Sequence, residues 1–154
     1  MLTLTVDGIL PPGRYKCSPS EIFDLFVKPY PTSNRESLFT YWQEYDIKLK
    51  AFTGGQKLIQ WVDGSFITNK LNPGDIDFVT FIPYHLYEPL VDELIDYYTT
   101  FSLYDHGLDA YICPVYLSTH SEYVHFVSRR QYWQKLFGSQ KDNLNRKGFL
   151  ELTL

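Results

Sequence analysis

The spacing of apolar residues along the chain predicts helices separated by short strands. Apolar side chains recur at intervals of three and four residues from Leu38 to Phe52, which is the stripe of an amphipathic helix of about five turns. Similar stripes run from Leu86 to Tyr98 and from Val124 to Phe137. An earlier helix is predicted to begin at Ser18-Pro19-Ser20-Glu21, because these residues form a capping box with proline at the first helical position.

Shorter apolar runs predict the strands. Each is a continuous or alternating apolar segment of strand length. The predicted strands are Met1–Val6, Leu58–Val62, Asp75–Ile82, Leu108–Tyr116 and Gly148–Leu154. Pro114 has no N–H to donate to a neighbouring strand, which favours the edge of the sheet or the end of a ladder. Helices and strands in this order predict an α+β fold, in which a small mixed β-sheet packs against helices.

The composition is typical of a folded protein, and it argues against nucleic acid and membranes as partners. The chain has 154 residues, of which 44% are hydrophobic and 21% charged, so we expect a single domain over residues 1–154. The net charge of −4 argues against nucleic acid as a partner. The sequence shows no secretory signal and no apolar stretch that could span a membrane, and its two cysteines lack metal-ligand spacing. We therefore expect a cytoplasmic protein with no membrane partner.

The candidate chemistry lies between Gly64 and Asp109. Asp75 and Asp77 are two residues apart on a predicted strand, so their carboxylates share one face, about 7 Å apart by the rise per residue. Aspartate is depleted in strand interiors, and two on one face repel each other unless a cation, an arginine or solvent relieves the repulsion. The Gly64-Ser65 turn offers backbone N–H groups and a hydroxyl to phosphate oxygens. Asp109 adds a carboxylate at the head of a later strand.

Carboxylates beside a phosphate-binding turn suit a magnesium–nucleotide ligand. Mg²⁺ is usually held by one or two carboxylates together with the phosphates of its substrate. Lys70 and Lys147 are candidate cations for those phosphates. Each feature also has a simpler interpretation, since the aspartates suit the solvent-facing side of an amphipathic strand and the lysines suit an ordinary solvated surface.

In this pattern the chain resembles the nucleotidyltransferase superfamily of the DNA polymerase β type. The motif of that superfamily is Gly-Ser, a short gap, Asp-hydrophobic-Asp and a carboxylate on a later strand. Gly64-Ser65, Asp75-Ile76-Asp77 and Asp109 match it in order and spacing, whereas Asp63 stands where the superfamily usually has an apolar residue. Segments spread over nearly the whole chain also resemble an uncharacterised bacterial family of small nucleotidyltransferase-like proteins. These segments are Leu10–Gly13, Trp61–Phe66, Asn72–Asp77, Phe137-Gly138 and Lys147-Gly148.

The resemblance implies a nucleotidyltransferase-like fold and metal-dependent transfer of a nucleoside monophosphate to a hydroxyl. Asp75 and Asp77 would hold two Mg²⁺ or Mn²⁺ ions, and Asp109 would bind one of them and deprotonate the attacking hydroxyl. The Gly64-Ser65 turn, with Lys70 and Lys147, would hold the phosphates of a nucleoside triphosphate. In small members of the superfamily the hydroxyl often belongs to a partner protein, as in toxin–antitoxin pairs.

A second hypothesis is a catalytically silent module of the same fold that binds a nucleotide or a partner protein. Aromatic residues make up 18% of the chain, and such residues are enriched at interfaces. The C-terminal strand Gly148–Leu154 is expected to offer an exposed edge for the partner under this hypothesis.

Overall fold

A five-stranded mixed sheet organises the protein. The computed structural model describes residues 2–98, 101–142 and 144–154, and the side chains of all of these except 101 and 102. In the sheet order β1-β5-β2-β3-β4, β1 pairs with β5 and β3 with β4 in parallel, while β2 is antiparallel to both β5 and β3. The strands are β1 (Gly13–Lys16), β2 (Ile59–Asp63), β3 (Ile76–Pro83), β4 (Leu108–Val115) and β5 (Gly148–Thr153).

The α-helices lie between the strands along the chain, and the first of them begins at a side-chain N-cap. They are α1 (Pro19–Ile22), α2 (Arg35–Phe52), α3 (Tyr84–Tyr87), α4 (Phe101–Asp105) and α5 (Tyr123–Phe137). The predicted capping box is confirmed, since the Ser18 hydroxyl accepts from the Glu21 N–H and the Glu21 carboxylate accepts from the Ser18 N–H. α1 continues as a π-helical turn over Phe23–Val27. Within the described part of the chain, no helix is both long and apolar enough to cross a bilayer.

Helices cover both faces of the sheet. α2 packs on one face, where the ring centroids of Tyr45 and Phe78 are 5.0 Å apart. α5 packs on the other face, where Trp133 lies 4.8 Å from Tyr111 of β4. The prediction of an α+β fold with a mixed sheet packed against helices is therefore confirmed at the level of fold class.

Three sequence predictions about elements need correction. Residues 2–5 form no strand, because the N–H of Thr5 donates to the carbonyl of Ile9 within a local turn instead of joining the sheet. The helix predicted over Leu86–Tyr98 is broken into α3 and short 3₁₀ turns, and Pro89, which lacks an N–H, lies at the first break. The C-terminal strand is not an edge, since β5 lies between β1 and β2. The edge position favoured by Pro114 is confirmed, since β4 ends the sheet order.

A buried polar network joins α2 to the centre of the sheet. The indole N–H of Trp42 donates to the side-chain oxygen of Gln60 at 2.9 Å, and the Gln60 amide donates to Asp46 at 2.8 Å and to Thr80 at 2.9 Å. The second oxygen of Asp46 accepts no hydrogen bond from the described residues. Burial raises the pKa of Asp46 to about 8, although the Gln60 hydrogen bond opposes the shift.

This network predicts how the Asp46→Asn variant responds to pH. A carboxyl whose pKa is raised by folding destabilises the folded state as pH rises from its ordinary value of 3.8 to about 8. We expect the unfolding free energy of Asp46→Asn, relative to the native protein, to increase by about 1–3 kcal/mol between about pH 5 and about pH 9. Urea unfolding at both pH values measures it, and any pH-independent effect of the new amide cancels in the comparison.

The matched control for this prediction is Asp92→Asn, because Asp92 is exposed. Its stability relative to the native protein should stay constant between the same two pH values. A constant difference for Asp46→Asn as well would contradict the buried, protonated state of Asp46.

Candidate functional site

Three aspartates form a row across neighbouring strands. Asp63, the last residue of β2, lies opposite Asp77 of β3, which in turn lies opposite Asp109 of β4. Residues directly opposite in a sheet point to the same face, so the three carboxylates lie side by side on the face that α5 partly covers. Asp75 precedes β3 by one residue and joins the row at the same end of the sheet. The structure therefore brings Asp75, Asp77 and Asp109 together, as the sequence predicts, and adds Asp63.

The turn after β2 brings backbone close to this row. Gly64 has a φ of 83°, a conformation that favours glycine, and a Cβ at this position would overlap an oxygen of the Asp77 carboxylate. Ser65 then starts a 3₁₀ turn over Ser65–Ile67. Only glycine fits the position between Asp63 and Ser65.

A cavity of about 750 Å³ opens in front of the row. The carboxylates of Asp63, Asp75 and Asp77 lie in its wall together with Gly64 and Ser65. The predicted cations Lys70 and Lys147 line the same cavity, and so does Lys141. Asp109 does not line it and instead accepts a hydrogen bond from the Tyr111 hydroxyl at 3.3 Å. The cavity is thus lined by both acidic groups and lysines.

Crowding of carboxylates in a partly buried place shifts their proton affinities. Burial, followed by the charges of Asp75, Asp63 and Asp109, raises the pKa of Asp77 to about 7. Burial raises the pKa of Asp63 to about 6 despite the opposing charge of Lys147. Burial and the charge of Asp109 also raise the pKa of Asp75. A cation bound at the row would relieve this repulsion.

Whether these residues can hold a metal ion depends on which other ligands complete its coordination shell. Among residues 2–98, 101–142 and 144–154, no three His, Cys, Asp or Glu side chains converge to hold an ion on their own. Oxygen donors are nevertheless the ligands that Mg²⁺ and Mn²⁺ accept, and Mg²⁺ commonly takes one or two carboxylates with the rest of its shell from phosphates and water. The donor set therefore suits a divalent cation that arrives with a phosphate-bearing ligand.

Comparison with known protein families shows which family this chain belongs to. A sequence model described as "Family of unknown function (DUF6932)" matches residues 2–153, nearly the whole length. The chain belongs to this family. No curated protein and no solved structure matches it. The match to DUF6932 takes in both the aspartate row and Lys147.

In this DUF6932 chain, a buried arginine that the sequence analysis missed shapes one wall of the cavity. The guanidinium of Arg35, at the start of α2, is fully buried. It donates to the carbonyls of Phe26 at 2.8 Å, Thr68 at 2.7 Å and Lys70 at 3.1 Å, and also to Phe66. Every one of these acceptors is backbone, so Arg35 holds the segment between Ser65 and Lys70 in place.

Three contributors to the site carry a weaker sequence signal than the predicted ones. Asp63 ends an apolar strand, and Asp109 lies near the start of another. Asp63 comes two residues after Trp61, so the two side chains share one face of the strand, and this spacing is a usable signal. Lys141 belongs to a polar loop and is one lysine among several, so nothing in the sequence marks it out. Arg35 follows a residue pattern typical of a helix start, which hides its long-range role.

Proposed function

We propose that this protein is a metal-dependent nucleotidyltransferase, which transfers a nucleoside monophosphate from a nucleoside triphosphate to a hydroxyl and releases pyrophosphate as the leaving group. The observation that carries the proposal is the meeting of Asp75 and Asp77 with the Gly64-Ser65 turn in one cavity whose walls bear lysines. Acidic groups next to phosphate-binding groups are the arrangement expected where a divalent cation bridges protein and phosphate. A nucleotidyltransferase-like version of the α+β fold is part of this proposal.

The position of each residue in the site gives it a role in the proposed reaction. Asp75 and Asp77 would hold Mg²⁺ or Mn²⁺, which supplies Lewis-acid stabilisation of the charge on the phosphoryl oxygens. Ser65, the Gly64 backbone and Lys70 line the cavity and would bind the phosphates. Asp109, directly opposite Asp77 on the neighbouring strand, would accept the proton of the attacking hydroxyl.

The acceptor in this proposal is a hydroxyl of a partner protein. The cavity in front of the aspartate row has a volume of about 750 Å³, which can hold a side chain of the partner together with phosphates. A toxin–antitoxin pairing would supply such a partner. The acidic balance of the chain, −4, argues against nucleic acid as the acceptor.

Nucleotide incorporation tests the proposal. The purified protein is incubated with each α-labelled nucleoside triphosphate, with Mg²⁺ or Mn²⁺, and with candidate acceptor proteins, including the chain itself. We expect labelled protein to form, and the Asp75→Asn variant to lower the initial rate by about 100-fold or more, because the cation loses a ligand. Asp92→Asn, at an exposed position, is the matched control and should retain the full rate.

A silent module that binds a nucleotide or a partner protein is the second candidate. The absence of three converging metal ligands among the described residues favours it. This candidate predicts no incorporation with any nucleotide, while Mn²⁺ with a nonhydrolysable nucleoside triphosphate still raises the melting temperature. Incorporation that survives in Asp75→Asn would count against the proposed transferase site itself.

A further inference from the structure

Lys147 is bound inside the protein in a way that a surface lysine is not. It immediately precedes β5, and its backbone N–H donates to the carbonyl of Gly138 at 3.1 Å. Its ammonium donates to both oxygens of Asp63, each at 2.7 Å. The side chains are only 16% and 9% exposed, so the ion pair is largely removed from water. A pair of this kind keeps both charges, because each needs the other once it is desolvated.

The pair occupies one end of the aspartate row. Asp63 lies on β2, and Asp109 lies on β4, on opposite sides of Asp77. The Lys147 charge lowers the pKa of both Asp63 and Asp77, whereas Asp75 is influenced by the exposed Lys70 and Lys141. The fixed positive charge is therefore confined to the Asp63 side of the row.

Because Lys147 pairs with Asp63, the negative charge of the site is concentrated on the other aspartates of the row. The Asp63 carboxylate is neutralised, and both of its oxygens are engaged by the same ammonium. Asp75, Asp77 and Asp109 remain as an acidic group that repels internally, since the charges of Asp75 and Asp109 raise the pKa of Asp77. The charge of Asp63 also raises that pKa, but the charge of Lys147 opposes it. One divalent cation would relieve the repulsion within that group. A second cation would have to compete with Lys147 for the Asp63 carboxylate.

We propose that Lys147 is a built-in cation of the aspartate row, so that the site takes a single divalent cation on the side of Asp77 that faces Asp75 and Asp109. The inference rests on the proposed function for the existence of the metal site. It differs from the sequence prediction in the role of Lys147, which here neutralises Asp63 instead of binding phosphate. It also replaces the two ions implied by the resemblance with one ion and one ammonium.

Counting bound Mn²⁺ tests the inference. Loss of the free Mn²⁺ signal in electron paramagnetic resonance is measured while the metal is titrated into the native protein and into Lys147→Met. A nonhydrolysable nucleoside triphosphate is present throughout, and the Mn²⁺ that it binds in a protein-free blank is subtracted. We expect one Mn²⁺ per chain in the native protein and two in Lys147→Met, because the released Asp63 carboxylate then faces Asp77 without its ammonium. Lys141→Met, which removes an exposed lysine of the same cavity, is the matched control and should still bind one.

The double variant Asp63→Asn/Lys147→Met keeps the inference testable if Lys147→Met does not fold. It replaces a neutral pair with another neutral pair, so we expect one Mn²⁺ with an affinity within about threefold of the native value. Loss of binding in the double variant would make Asp63 a metal ligand and overturn the inference. Two ions in the native protein, or one in a folded Lys147→Met, would also overturn it.

The failure of this inference is distinguishable from the failure of the proposed function. If the native protein binds one Mn²⁺ that Asp75→Asn abolishes, but Lys147→Met gains none, only the role of Lys147 is wrong. If the native protein and all variants bind no Mn²⁺, the metal site of the proposed function is refuted, and this inference with it.

Discussion

The Asp77→Asn variant is expected to lose the stabilisation that Mn²⁺ or Mg²⁺ gives the native protein, together with about 99% or more of any nucleotidyl transfer. Asp77 is the central member of the row, with Asp63 on one side and Asp109 on the other. An amide of the same shape keeps the packing against Gly64 but removes the charge that a cation needs. The melting temperature in a nonhydrolysable nucleoside triphosphate, with and without divalent metal, measures the first effect, and α-labelled incorporation measures the second.

The same variant has a predicted effect without metal. Folding raises the pKa of Asp77 from 3.8 to about 7, so the folded state loses stability relative to the unfolded state as pH rises through that window. At about pH 8 and without metal, Asp77→Asn should therefore be more stable than the native protein by about 1–3 kcal/mol. Near pH 4 the carboxyl is protonated in the folded protein, and most of the difference should disappear.

Metal binding by the native protein should depend on pH through the same ionisation of Asp77. A divalent cation binds the carboxylate and not the acid, so its stabilising effect should be larger at about pH 8 than at about pH 6. Asp24→Asn is the matched control, because Asp24 is exposed on the π-helical turn and should leave the metal effect unchanged. A metal effect that persists in full in Asp77→Asn would exclude the aspartate row as its origin.

Replacement of Arg35 by methionine is expected to destabilise the protein by about 3–5 kcal/mol. The guanidinium lies 4.5 Å from the ring of Tyr30, and its donors satisfy buried carbonyls of the Phe66–Lys70 segment. Methionine fills a similar volume but donates nothing, so several buried acceptors lose their partner at once. Denaturant unfolding measures the loss, and Arg146→Met, at an exposed arginine, should change stability by less than about 0.5 kcal/mol.

Arg35→Lys separates the charge of the side chain from its shape. A lysine keeps the positive charge, but its compact ammonium cannot reach acceptors arranged around a planar fork. We therefore expect Arg35→Lys to lose most of the stability that Arg35→Met loses. Full retention of stability in Arg35→Lys would show that charge alone, and not the set of backbone hydrogen bonds, accounts for the buried arginine.

Much of the site follows from local sequence. A strand alternates its side chains whatever surrounds it, so Asp75 and Asp77 could be assigned to one face from their spacing alone. Glycine before Ser65 likewise marks a tight turn, and the structure places Gly64 in a conformation that favours glycine. Capping residues at Ser18–Glu21 predicted a helix start for the same reason, since their hydrogen bonds span only one turn.

Features that depend on several local signals at once were predicted less well. The apolar stripe from Leu86 to Tyr98 has helical spacing, yet Pro89 removes an N–H and the segment divides into shorter turns. Met1–Val6 alternates like a strand, but residues 2–5 form no strand, and the N–H of Thr5 donates to the carbonyl of Ile9 in a local turn. Alternation shows which side chains share a face and does not show whether a neighbouring strand exists.

The sequence by itself determined the spacing of Gly64-Ser65, Asp75 and Asp77, and with it the acidic character of one strand face. Only the tertiary structure decided that Asp63 and Asp109 complete a row with Asp77, because strand order is set by pairing between distant segments. It also decided that Lys147 pairs with Asp63, from which it is separated by 84 residues. A charge that is buried and paired is distinguished from a solvated one by its surroundings, which residue type and spacing do not specify.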